Sequence, residues 1–127
     1  MNEDDLISLS LELQRAFDSK DLENVLSFYH PDIVIISPSY VRPVVGIEAL
    51  REAVARQFAS PQRTSVSLKK IKSYRVSESV ELVVCEATGH QSIYYSSYGF
   101  KGLISRIFLD TEQGPKIIAE HFSLVKD

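Results

Sequence analysis

The chain has no tryptophan, a single methionine and a single cysteine, and no apolar run approaches the roughly 20 residues that a membrane-spanning helix requires. Cys85, alone in an apolar stretch, can form no intramolecular disulfide and has no companions for a thiolate metal centre. It reads as a small buried hydrophobe and fits a reducing compartment. Neither sign of charge dominates: 14 Lys and Arg stand against 17 Asp and Glu, for a net charge of -3. The clustered positive field that phosphate backbones demand is missing, so nucleic acid is not an expected partner. The opening Met1-Asn2-Glu3-Asp4-Asp5 is acidic where a signal peptide would be basic. The expected location is the cytoplasm, with no membrane partner. The three histidines lack ligand spacing, and no phosphate-cradling glycine loop, nucleophile elbow or paired cysteine motif occurs. Nucleotide, zinc and serine-hydrolase readings fall together, and neither a metal nor a cofactor is expected.

What is present is the make-up of one globular domain: 127 residues, 44% hydrophobic and 24% charged, enough to bury a core. The hydrophobic period changes near residue 60. Before it, Leu6, Leu9, Leu13, Ala16 and Phe17 recur at three- and four-residue spacing and predict a helix over 3–18. Asp21 offers an N-cap to a second helix carrying Leu22, Val25, Leu26 and Tyr29, which Pro31 ends near His30. Ile33-Val34-Ile35-Ile36 is a short β-branched strand stopped by Pro38, and Leu50, Val54 and Phe58 mark a third helix over 47–58.

From Thr64 the period becomes two. Strands are expected near 64–76, 80–97, 100–111 and 115–125, with turns at Ser77-Glu78-Ser79, Tyr98-Gly99 and Glu112-Gln113-Gly114. Short turns make consecutive strands antiparallel neighbours. Their length predicts a bent sheet, with Gly89 and Gly102 as bulge or kink points. The fold class is therefore α+β, three N-terminal helices packed on a strongly curved antiparallel sheet. If Thr111 pairs with Lys116, Arg106 falls opposite His121, beside Ile104, Phe108, Ile117, Ala119 and Ser123. The other face then carries Leu103, Ser105, Ile107, Leu109, Ile118, Glu120, Phe122 and Leu124. Both faces are mostly apolar and the helices cover only one, so a second copy of the chain is expected on the other.

The order of elements also resembles a known family. Phe28-Tyr29-His30-Pro31-Asp32, a short strand ending Ser37-Pro38, Gly46-Ile47-Glu48-Ala49-Leu50 opening a helix, and a final strand with Ala119-Glu120-His121-Phe122-Ser123 resemble the nuclear-transport-factor-2-like superfamily. The resemblance is to its SnoaL-like and ketosteroid-isomerase-like branch. It implies a cone-shaped α+β barrel, open at one end, with a pocket between helices and sheet and dimerisation through the outer sheet face. The chain departs from the isomerases where their chemistry sits. Ser37 precedes Pro38 in place of a catalytic aspartate, and a serine hydroxyl is too weak a base for proton abstraction without activation. The first helix has no tyrosine, with Leu13 near the expected place, and Pro115 stands near a missing tryptophan.

Residues for another site are Arg106 and His121 as neighbours, with a third partner from His90, Tyr94 or Tyr95, and with Ser37 near the pocket. A histidine beside an arginine tends to stay neutral and can act as a base, and a guanidinium can clamp a carboxylate or enolate oxygen. The bland alternative is that both side chains are satisfied within the fold. Two functions remain open. One is a homodimeric cone that binds a small, largely apolar molecule. The other is a cofactor-independent isomerase, cyclase or dehydratase with His121 as base.

Overall fold

The computed structural model describes residues 2–125. Helix α1 (Glu3–Asp18) starts where Asn2 accepts the amide of Asp5 at 3.0 Å, satisfying one of the amides that the first helical turn leaves open. It buries Leu6, Leu13 and Ala16. Helix α2 (Leu22–Ser27) is capped by Asp21, whose carboxylate accepts from the amide of Asn24. It ends earlier than the apolar stripe suggests, and Tyr29 and His30 open strand β1 (Tyr29–Ile36). Pro31 is the reason, because the residue before a proline is pushed out of helical geometry. His30 is thus a strand residue, and its Nδ1 accepts the amide of Asp32. A two-residue strand β2 (Val44–Val45) leads through Gly46 into α3 (Ile47–Ala59), which buries Leu50, Ala53 and Val54.

The long strands follow: β3 (Arg63–Ser77), β4 (Val80–Ile93), β5 (Ser96–Thr111) and β6 (Gly114–Leu124). They form one six-stranded sheet in the order β2-β1-β6-β5-β4-β3. The sheet is mixed, since β1 pairs parallel to β6 while every other neighbour is antiparallel. Only strands joined by short turns are forced antiparallel, and β1 reaches β6 across α3 and four intervening strands. Val83, Cys85, Ile104, Phe108, Ile117, Ile33 and Ile35 bury one face against the helices. The outer face carries Leu82, Val84, Leu103, Ile107, Leu109, Val34 and Ile36, half-buried or exposed.

Two registers differ from those read from the sequence. The β4–β5 turn is Tyr94-Tyr95, not Tyr98-Gly99, with Ile93 opposite Ser96. This pairing sets Phe100 opposite Gly89, and the ring occupies the space a side chain there would fill. Gly102 likewise lies under the Phe122 ring. Neither glycine is a bulge; the register shifts fall between Lys70 and Lys72, between Arg75 and Ser77, at Ile107/Phe108 against β6, and between Tyr29 and Val34 against β6. In the last hairpin Thr111 pairs with Gly114, not Lys116. Ile117 sits opposite Phe108 but Ala119 sits opposite Ile107, so Ile118 is an extra residue in β6. A bulge of this kind reverses the faces beyond it. Glu120 and Phe122 turn inward, and His121 and Ser123 turn outward.

The seat under Phe122 is tight enough to test. A Cβ on Gly102 would lie 2.4 Å from the Phe122 ring and 2.7 Å from the Ser123 carbonyl oxygen, whereas one on Gly99 meets nothing nearer than 3.5 Å. In urea unfolding, Gly102→Ala should cost about 1–3 kcal/mol and Gly99→Ala no more than about 0.5 kcal/mol. Equal losses would contradict the ring-over-glycine packing.

Candidate functional site

The bulge places a carboxylate on the inner face, and the inner face has a base waiting for it. Arg106 lies directly opposite Glu120 in the sheet, and its Nε donates to Glu120 Oε1 at 2.7 Å. The side chains are 7% and 13% exposed, so this is a buried pair and not a surface one. Tyr29, from the start of β1, donates its hydroxyl to the same Oε1 at 3.1 Å. Burial alone would depress the Arg106 pKa, but Glu120 and then Tyr29 hold it above its ordinary value. Arg106 Nη1 is buried with no partner among the described residues. That leaves the guanidinium dependent on Glu120 for compensation. The Cys85 thiol, on the neighbouring strand, is pushed up by burial, in keeping with an inert core residue.

Glu120 also faces open space. A cleft of about 750 Å³ runs between the C-terminal end of α1, α3 and the sheet, and is lined by Phe17, Phe58, Phe100, Ile104, Glu120 and Phe122 among others. Phe17 meets Phe58 edge to face, as Phe100 meets Phe122. Ser37, Gln57, Gln62 and Thr64 add polar groups to the wall. A second hollow of about 890 Å³ opens between the loop 38–43, α3 and the ends of the strands, and shares Tyr40, Gln57, Phe100 and Phe122 with the first. Tyr40 stands at this boundary with its hydroxyl 3.2 Å from Gln57 Oε1. The arrangement is an aromatic chamber with the part-buried Glu120 carboxylate in its wall and the exposed Asp18, Lys20 and Arg63 also among its lining residues, able to enclose an apolar body and accept a hydrogen bond from it.

The residues expected from sequence are dispersed. Arg106 is inside, but behind Glu120 and not on the cleft wall. His121 is not its neighbour: it pairs with Ser105 and Ile36 on the outer face, is exposed, and has Nε2 3.1 Å from Ser123 Oγ. His90 is exposed at the cleft rim, opposite Gly99. Tyr94 is 83% exposed in the hairpin turn, at φ 53°, and not on a strand beside the pair. Ser37 lines the cleft, its hydroxyl accepting the amide of Ser39. Glu120, Tyr29 and Tyr40 were not anticipated as site residues. The available signal was a carboxylate in a row of Ile118, Phe122 and Leu124, since an acid in an apolar row needs a buried partner.

The fold is that of an α+β cone with helices closing one face of a curved sheet. The model of the SnoaL-like domain matches residues 11–105, and the chain belongs to that family. Similar solved structures include a ketosteroid isomerase-like protein from Erwinia carotovora atroseptica, at 15% identity and TM-score 0.82, covering 94% of this chain and 93% of that one. The beta subunit of the benzoate 1,2-dioxygenase from Burkholderia mallei matches at 18% identity and TM-score 0.84, covering 98% and 91%. An NTF2-like protein of unknown function from Pseudomonas putida matches at 13% identity and TM-score 0.81, covering 98% and 87%. No curated protein matches the sequence. At these identities the likenesses establish the fold alone.

The phenols at the site carry a pH signature. Burial raises the Tyr29 pKa well above 10.0, with the negative Glu120 adding to it and Arg106 opposing. Burial and then Glu120 raise Tyr40 in the same direction. In the unfolded chain both ionise near pH 10, while the folded state keeps both protons. Their contribution to stability is therefore complete below about pH 10 and lost as pH rises, at a slope approaching about 1.4 kcal/mol per pH unit for each phenol. Urea unfolding from about pH 9 to 11 should show this slope, and the Tyr29→Phe, Tyr40→Phe double variant should flatten it. An unchanged slope in that variant would contradict the assignment.

Proposed function

We propose that this SnoaL-like protein binds a small, largely apolar molecule in the cleft between helices and sheet, and does so as a homodimer joined through the outer sheet face. The observation that carries the first half is the aromatic chamber of about 750 Å³. That volume suits a ligand of drug-like size. The chamber's walls offer rings to an apolar body, and its one deeply placed charged group, Glu120, is compensated by Arg106. Catalysis with His121 as base has less support, because that side chain lies on the opposite face of the sheet from the cleft. An isomerase, cyclase or dehydratase in this cone would need a different base.

Support for the dimer comes from the outer face. Val34, Ala119, Ile107 and Leu82 form one apolar row across β1, β6, β5 and β4, in which Ile107 is 37% exposed, and Ile36 and Leu103, 48% and 40% exposed, flank it on either side of His121 and Ser105. Contiguous apolar area of this kind is normally covered, and a self-complementary sheet face suits a two-fold partner.

A thermal-shift screen with planar polycyclic compounds and small carboxylates tests the cleft. A true ligand at 100 times its dissociation constant adds about 2.7 kcal/mol, and Gln57→Trp, filling the space shared by both hollows, should abolish the shift while leaving the fold intact. Flat responses throughout would remove the binding reading. For the assembly, light scattering at micromolar concentration should give twice the 14.3 kDa chain mass, and Ile107→Lys should halve it. A monomeric mass for the unaltered protein would contradict the dimer.

A further inference from the structure

Building on the pocket reading above, we infer that the cleft selects a ligand bearing a neutral hydrogen-bond donor, an alcohol or phenol, on its apolar body, and that Glu120 is the group that reads it. A carboxylate is an acceptor only. Both protein donors, Tyr29 and Arg106, bond to Oε1, which leaves Oε2 as the oxygen a ligand in the cleft meets.

The charges around Glu120 decide what that ligand can carry. Arg106 lies behind the carboxylate and does not line the cleft. An anionic group placed at Glu120 would therefore meet like charge before any part of the guanidinium, and the cationic side chains that line the cleft, Lys20 and Arg63, are exposed, with Lys20 Nζ already donating to the Phe58 carbonyl oxygen. A cationic ligand fares little better, because the Glu120 charge is already matched and an ammonium would have to shed its hydration between Phe17, Phe58, Phe100 and Phe122. A hydroxyl loses much less on leaving water and supplies the one thing Oε2 lacks. The protein already makes this contact once, through the neutral phenol of Tyr29 at 3.1 Å from Oε1. Hydrogen bonds to a charged acceptor discriminate by about tenfold or more against an analogue without the donor.

Three probes on one apolar frame test the inference: 4-biphenylmethanol, its methyl ether and 4-biphenylcarboxylate, each titrated by calorimetry at neutral pH. The alcohol should bind at least about tenfold more tightly than either of the others. In Glu120→Gln, Arg106 should draw the amide oxygen and turn the amide N–H toward the cleft, so the ether and the acid should gain on the alcohol. Far-UV circular dichroism and retained ether binding serve as the check that this variant folds, and the ranking in the unaltered protein stands independently of it. Failure of all three probes to bind overturns the pocket reading and this inference with it. Binding with the acid or ether as tight as the alcohol overturns this inference alone, as does an unchanged ranking in folded Glu120→Gln.

Discussion

One extra residue in the last strand decides what lies inside the cone. Because Ile118 is accommodated between the Phe108–Ile117 and Ile107–Ala119 pairs, the strand beyond it is turned over, and Glu120 enters the interior beside Arg106. The two side chains then compensate each other in a place where neither would be tolerated alone. Removing an ionised group from water costs several kcal/mol, and only a close, well-aligned partner offsets it. The 2.7 Å contact, the shared phenol of Tyr29 and the raised Arg106 pKa are consequences of that single pairing.

The cleft follows from how the rest of the inner face is filled. Toward the β5–β6 turn, Phe108 and Ile117 are buried in one cluster with the core residues of the helices. Toward the other end, the rings of Phe100 and Phe122 fill the space that side chains at Gly89 and Gly102 would take and meet each other edge to face, and the cleft lies between them, the C-terminal end of α1 and α3. Glu120 sits where the buried cluster meets the cleft, with Oε1 held by Arg106 and Tyr29. The same alternation that buries Ile104 and Phe108 presents Leu103, Ile107 and Leu109 on the outside, so chamber and apolar outer face are two sides of one pattern.

Much of the architecture is legible in the sequence. Residues 3–18 and the caps Asn2 and Asp21 obey local helix rules, and the period-two run after Thr64 announces the sheet. Legibility fails where long-range packing overrides local signals. Gly99 looks like a turn residue, yet the seat that Gly89 provides for the Phe100 ring moves the turn to Tyr94-Tyr95. The bulge at Ile118 has no local marker at all, because Ile117-Ile118-Ala119 reads equally well in either register. That one-residue ambiguity is enough to place His121 inside and Glu120 outside, the reverse of what the packing demands. Arg106 was identifiable as an interior residue from its flanks Ile104 and Phe108; its partner was not.

The mutual dependence of Arg106 and Glu120 is the claim on which the rest turns, and a double-mutant cycle measures it. Arg106→Met and Glu120→Leu should each destabilise the protein by about 3–5 kcal/mol, because each strands a buried charge. The double variant, with no charge left inside, should lose far less than their sum, giving a coupling of about 2 kcal/mol or more in urea unfolding. Additivity to within about 0.5 kcal/mol would contradict the account.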